Sequence, residues 1–198
     1  EKALVESEKR VRAKLASILE SWGDIGDLSL ADIIDVDSIQ SIMDDFYGLT
    51  NIGVAILDLE GKVLVAQGWQ DVCTKFHRMN PETLAHCIES DVELSRGIEP
   101  GTWKAYRCRN NMWDIATPII IGTKHVGNLF LGQFFFDDEF PNYSMFAEQA
   151  QRYGFDETAY LKALDSIPRW SRKTINTVMS FYMKLMRMIS TLSFANLR

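Results

Sequence analysis

KAYRCRNNMWDIATPIIIGTKHVGNLFLGQFFF, residues 104–136, is the stretch whose reading decides the fold. Three runs rich in β-branched and aromatic residues, KAYRCR, MWDIATPIII and HVGNLFLGQFFF, are separated by Asn110-Asn111 and by Gly122-Thr123-Lys124. Both separators are turn signals, because asparagine and glycine enter the left-handed backbone region at little cost. The runs predict a three-strand antiparallel meander.

Upstream, NIGVAILDLEGKVLVAQGW (51–69) sets apolar runs on either side of Glu60-Gly61 and predicts a β-hairpin. Between hairpin and meander the periodicity turns helical over 73–94, where Pro81 opens PETLAHCIESDVEL and Thr83, Leu84, Cys87, Ile88 and Leu94 supply a partial apolar face. Downstream, FPNYSMFAEQAQRYG, ended by Gly154, and DETAYLKALDSI predict two short helices. The expected class is α+β: a five-stranded antiparallel sheet with a helical crossover between its second and third strands.

Both ends carry amphipathic helical patterns. Leu4, Val11, Leu15, Ile18 and Trp22 mark a narrow seam near the start, and Ile175, Val178, Tyr182, Leu185, Ile189 and Leu192 a stronger one near the end. Pro168 sits where the second helix is expected to begin. Seams at both ends predict connectors that pair in a homodimer; packing on the central domain is the alternative for either helix. The expected organisation is an N-terminal signalling helix over 1–24, a sensory domain over 25–167 and a C-terminal connector over 168–198 toward an output domain. A start at Glu and an end inside a helical pattern suggest a piece of a longer protein.

Composition bounds the function. With 46% apolar and 24% charged residues the 198-residue chain can build a globular core. A net charge of −6 argues against a nucleic-acid surface, which needs a concentrated basic face. No apolar run approaches the roughly 20 residues of a membrane span. Three cysteines, an odd number without close pairs, suit a reducing, cytoplasmic compartment.

Two residue sets carry candidate chemistry. Trp69, Trp103, Tyr106, Trp113, Phe130 and Phe134 lie on or beside the predicted strands, where alternate side chains share a face. Covered by the crossover, such a face encloses an apolar pocket, with Asp114, Gln133 and Asn128 as polar handles and Cys73 and Cys108 at its wall. The alternative for each aromatic is plain core. In DVCTKFHRMNPETLAHC (71–87), Cys73 and His77 share a helix face, and with Cys87 and Cys108 they make up a Cys₃His set suited to zinc or iron. The alternative for each cysteine is a small buried apolar residue, and a thiol redox switch is a variant of the same idea.

Catalytic signatures are missing: no nucleophile elbow, P-loop, zinc-protease helix or dinucleotide turn is present, and GLTNIG (48–53) lacks the lysine and the preceding strand of a phosphate loop. The acidic run Asp137 to Glu139 reads as a solvated turn before Pro141.

The order of two strands, a helical crossover and a three-strand meander, framed by signalling helices, is similar to PAS-type sensor domains. More specifically, DIIDVDSIQSIMDDFYGLTNIGVAILDLEGKVLVAQGW (32–69), VCTKFHRMNPETLAHCIESD (72–91) and YRCRNNMWDIATPIIIGTKHVGNLFLGQFFF (106–136) resemble the PocR sensory domain of transcription regulators and sensor histidine kinases. The resemblance implies a non-catalytic, ligand-sensing input domain for short hydrocarbon derivatives such as diols, placed in a two-component or transcriptional system.

Overall fold

The structure is a computed structural model that describes residues 28–196. The expected N-terminal signalling helix over 1–24 lies outside the described residues. A short helix α1 (Leu30–Ile33) leads into α2 (Val36–Thr50), which Asp35 caps by accepting a hydrogen bond from the Ser38 amide. Its core-facing residues Ile39, Met43 and Phe46 recur at four and three, a helical signal for which the sequence analysis places no element.

The hairpin β1 (Val54–Asp58) and β2 (Val63–Gln67) turns where expected. Asp58 accepts from the amides of Glu60 and Lys62, and Gly61 takes φ +85°. The crossover consists of a wide π-type turn (Val72–His77), helix α3 (Pro81–Glu89) and a second π-type turn (Ser90–Leu94). Asn80 caps α3 and Pro81 occupies its first position. Then come β3 (Lys104–Arg107), β4 (Trp113–Ile121) and β5 (Lys124–Phe136), with Asn111 and Gly122 at positive φ in the two connections. Helices α4 (Tyr143–Tyr153) and α5 (Glu157–Asp165) precede the short β6 (Arg169–Trp170) and the long α6 (Arg172–Asn196).

Strand order is β2-β1-β5-β4-β3, antiparallel throughout, with β5 central; β6 adds parallel to the end of β5. The class is thus α+β with a PAS-like open sheet. Pro168 does not open the last helix: its carbonyl accepts from the Phe135 amide, and residues 169–170 extend the sheet before α6 starts at Arg172.

Both faces of the sheet are covered, which is why β1, β4 and β5 read as nearly continuous apolar runs. One face packs Val54, Ile56, Ile115, Leu129 and Leu131 against Ile39 and Met43 of α2 and Ile175, Met179, Tyr182 and Met186 of α6. The C-terminal stripe is therefore largely spent on this sheet, with Val178, Leu185 and Ile189 also packed against it, while Phe181, Met188 and Leu192 are exposed. The other face, with Ala55, Leu57, Ala116 and Phe130, lies under Tyr106, Trp69 and Ile98. A third cluster joins Val72, Cys73, Cys108, Met112 and Phe135 to Phe146 and Ala150 of α4 and Tyr160 and Leu164 of α5. Among the described residues no helix is long and apolar enough to cross a membrane.

Candidate functional site

A cavity opens between the β1–β5–β4 surface and the crossover. Val54, Ala55, Leu57 and Phe130 give it an apolar wall, Trp69 an aromatic one, and Arg78, Asp91, Asp114 and Gln133 its polar groups, with Gly132 at its base. It is small and opens in part to solvent.

Strand register explains how the polar groups reach it. Asp114 pairs with Gly132 and Trp113 with Phe134, so Gln133 is the extra residue of a β-bulge. A Cβ at position 132 would lie 1.9 Å from Asp114 Oδ1, so only glycine leaves room for that carboxyl group. The Gln133 side-chain oxygen accepts from the Gln70 amide at 3.3 Å and ties the strand to the start of the crossover. Arg78, which closes the first π-type turn, donates from Nη2 to Asp91 Oδ2 at 2.9 Å. Its guanidinium lies 4.2 Å above the Trp69 ring, a stacked cation–π arrangement. The Arg78 Nε atom is buried with no hydrogen-bond partner among the described residues.

Burial dominates the electrostatics. Asp114 is 9% exposed, and desolvation, reinforced by the charge of Asp91, pushes its carboxyl up to about 8; Arg78 and the Cys108 thiol oppose this. Asp91 is also raised by burial, with Arg78 holding it down. The Tyr106 phenol is raised by burial and by Asp114, and its hydroxyl is buried without a partner. Such a cavity orients a small, partly polar molecule by a few fixed groups.

A family model described as a sensory domain found in PocR matches residues 32–194. The chain belongs to the PocR sensory-domain family. No curated protein and no solved structure matches it. A PocR domain is a sensory module, and a partly open cavity between sheet and crossover accords with that role.

In this PocR domain the residues expected at the pocket divide. Trp69, Asp114, Phe130 and Gln133 line the cavity. Tyr106 packs behind Phe130 on the same face. Phe134 does not: the bulge at Gln133 reverses the alternation, so Phe134 is buried in the principal core on the opposite face. Trp113 packs against that core, edge-on to Phe136 at 5.1 Å, and donates from Nε1 to Glu139 at 2.8 Å. Trp103, just before β3, packs on the same core. Cys73 and Cys108 belong to the cluster under α4 and α5. Asn128 accepts from His125 through Oδ1 and donates to Ser95 through Nδ2, and it is not among the residues that line the cavity. Arg78, Asp91 and Gly132 were not singled out from the sequence. A charged pair inside the segment that covers an apolar sheet was the available signal.

Cys73, His77, Cys87 and Cys108 are all buried; Cys73 and His77 face each other, while Cys87 and Cys108 are engaged elsewhere. Cys73 Sγ lies 4.0 Å from His77 Nδ1. His77 Nε2 faces Tyr160 Oη at 2.7 Å and Gln149 Nε2 at 3.2 Å. Cys87 Sγ accepts from Asn110 at 3.2 Å, and Cys108 Sγ from the Met112 amide at 3.4 Å. Among the described residues no three His, Cys, Asp or Glu side chains are grouped to hold a metal ion, so the zinc or iron set read from the sequence is not assembled. Burial lowers His77 to about 4 and raises Cys87 to about 11, and raises Cys73 and Cys108 strongly as well. A redox-active thiol needs the opposite shift.

Proposed function

We propose that this PocR domain senses a small, partly polar organic molecule bound between β1, β4, β5 and the crossover, and relays occupancy through α6. The observation that carries this reading is the buried Asp114 carboxyl set over Gly132 beside the partnerless Nε of Arg78, inside an aromatic-walled cavity. Buried polar groups left short of partners are expensive for folding alone, and a ligand satisfies them. Short hydrocarbon derivatives such as diols are the first class to test. A thermal-shift screen of small organic compounds, diols included, tests this. A ligand at a hundred times its Kd adds about 2.7 kcal/mol, which raises Tm by roughly 5–11 °C in a domain of this size. Trp69→Ala removes a half-buried wall and abolishes the shift. A screen without any stabilising compound, or shifts that persist in Trp69→Ala, would reject the cavity as the sensor.

The relay rests on Glu139. Its Oε2 accepts from Arg107 Nη2 of β3 at 2.6 Å and from Trp113 Nε1 of β4 at 2.8 Å. Arg172, the first residue of α6, reaches Asp138 at 3.0 Å and Glu139 at 3.5 Å, with its guanidinium 4.0 Å over Phe136. The acidic run forms an exposed turn at Asp137 and Asp138, as expected from the sequence, and through Asp138 and Glu139 it also ties the sheet to the exit helix. Glu139→Gln weakens this tie without touching the cavity. Ligand-dependent changes in amide exchange over the first turns of α6 are expected to vanish, with affinity held within about threefold, or about 0.7 kcal/mol. Unchanged exchange responses in the variant would place the relay elsewhere.

We place the domain in the cytoplasm as the input of a sensor histidine kinase or transcription regulator, dimeric through its terminal helices. The exposed Met188 and Leu192 on α6 support that pairing. A ligand drives such a relay only by binding the two helix arrangements with different affinity.

A further inference from the structure

Three charged side chains line the cavity: Asp91, Asp114 and Arg78. Arg78 is committed to Asp91 at 2.9 Å and stacked on Trp69. No ion pair reaches Asp114 among the described residues, although it is buried and faces the cavity. The absent side chain of Gly132 leaves room for that carboxyl group, so its position is built into the β4–β5 register. The cavity has two acids, one already answered base, and aromatic faces from Trp69 and Phe130.

Resting on the ligand-binding reading above, we infer that the molecule this site takes is a small organic cation, an amine whose ammonium group pairs with Asp114 inside the aromatic wall. With a neutral diol bound, Asp114 has no partner charge and stays protonated. An anion meets the Asp91 carboxylate and the Asp114 carboxyl group, with the Arg78 guanidinium already engaged. An ammonium group supplies the missing charge and is attracted by aromatic faces. A hydroxyl or other acceptor on the same molecule can receive the free Nε–H of Arg78.

Asp91 raises Asp114 and Arg78 lowers it; the two are paired with each other at 2.9 Å, which leaves Asp114 without a counter-charge of its own. The other titratable groups facing it are the Cys73, Cys87 and Cys108 thiols and the Tyr106 phenol, all pushed up and uncharged near neutrality. With its pKa near 8, Asp114 gives up its proton when the ammonium binds. Affinity for an amine therefore falls as pH drops below 8, by up to about tenfold per unit for one displaced proton.

Isopropanolamine, propylene glycol and lactate share a three-carbon skeleton and carry positive, zero and negative charge. Calorimetry on the whole chain at pH 8 is expected to show isopropanolamine binding at least about tenfold tighter than the other two. Its affinity falls toward pH 6, with proton release seen in buffers of different ionisation enthalpy. Asp114→Asn, whose own Tm checks its folding, removes the preference for charge. Propylene glycol or lactate binding as well as the amine overturns the inference and leaves the sensor function standing. Binding by none of the three also overturns it, and the broader thermal-shift screen then decides the function separately. An amine preference that survives in a folded Asp114→Asn removes Asp114 from the role.

Discussion

Phe134→Ala is expected to destabilise the domain by about 3–5 kcal/mol, the range for removing a fully buried phenylalanine, and so to lower Tm by roughly 6–20 °C. Phe134 is 1% exposed, packs edge-on to Phe136 at 5.2 Å and belongs to the core beneath α2 and α6. Phe130→Ala makes a useful counterpart. Its ring is 6% exposed and forms a wall of the cavity, so its loss enlarges the site and changes ligand affinity directly. Denaturant titration and calorimetry on the two variants separate the roles. If Phe134→Ala alters affinity as much as Phe130→Ala, or costs less than about 1 kcal/mol, the bulge does not place Phe134 on the core face.

These two phenylalanines also show where the sequence stops being legible. Strands, turns, crossover and the two short helices after β5 could be read from periodicity and from Asn111, Gly122 and Gly154 at positive φ. Alternation assigns Phe130 and Phe134 to one face, and a single unpaired residue, Gln133, separates them. A bulge has no local sequence mark strong enough to find, because it is settled by the register of both neighbouring strands. The same holds for Trp113, which alternation from Asp114 cannot assign until the register is known. Arg78 and Asp91 sit thirteen residues apart on two turns, and only folding brings them to one cavity. The cysteines misled for a related reason: shared burial resembles a ligand set in sequence, whereas in space each thiol has its own neighbour.

Gly53→Ala is expected to cost about 3 kcal/mol or more, at the upper end for overpacking, and to lower Tm by roughly 6–12 °C. A Cβ there would lie 2.6 Å from the Gly132 carbonyl oxygen and 2.7 Å from that of Gly68. Both obstacles are backbone, so no rotamer change relieves them. Gly68 is itself held at φ +74° with the Tyr47 ring against it, which closes one direction of retreat. The other is movement of β5 at Gly132, whose amide donates to the Gly53 carbonyl at 3.3 Å and whose neighbours form the cavity. The variant should therefore lose ligand response along with stability. Gly48 provides the control, since a Cβ there meets nothing within 4 Å and the residue lies inside α2. Gly48→Ala should gain about 0.5–1 kcal/mol from helix propensity. The two glycines bracket GLTNIG, the one run that looked like a phosphate loop, and opposite signs in a single denaturation series would show that each is there for a different backbone reason. Equal stability of the two variants would contradict the close approach of β1, β2 and β5 on which the base of the cavity depends.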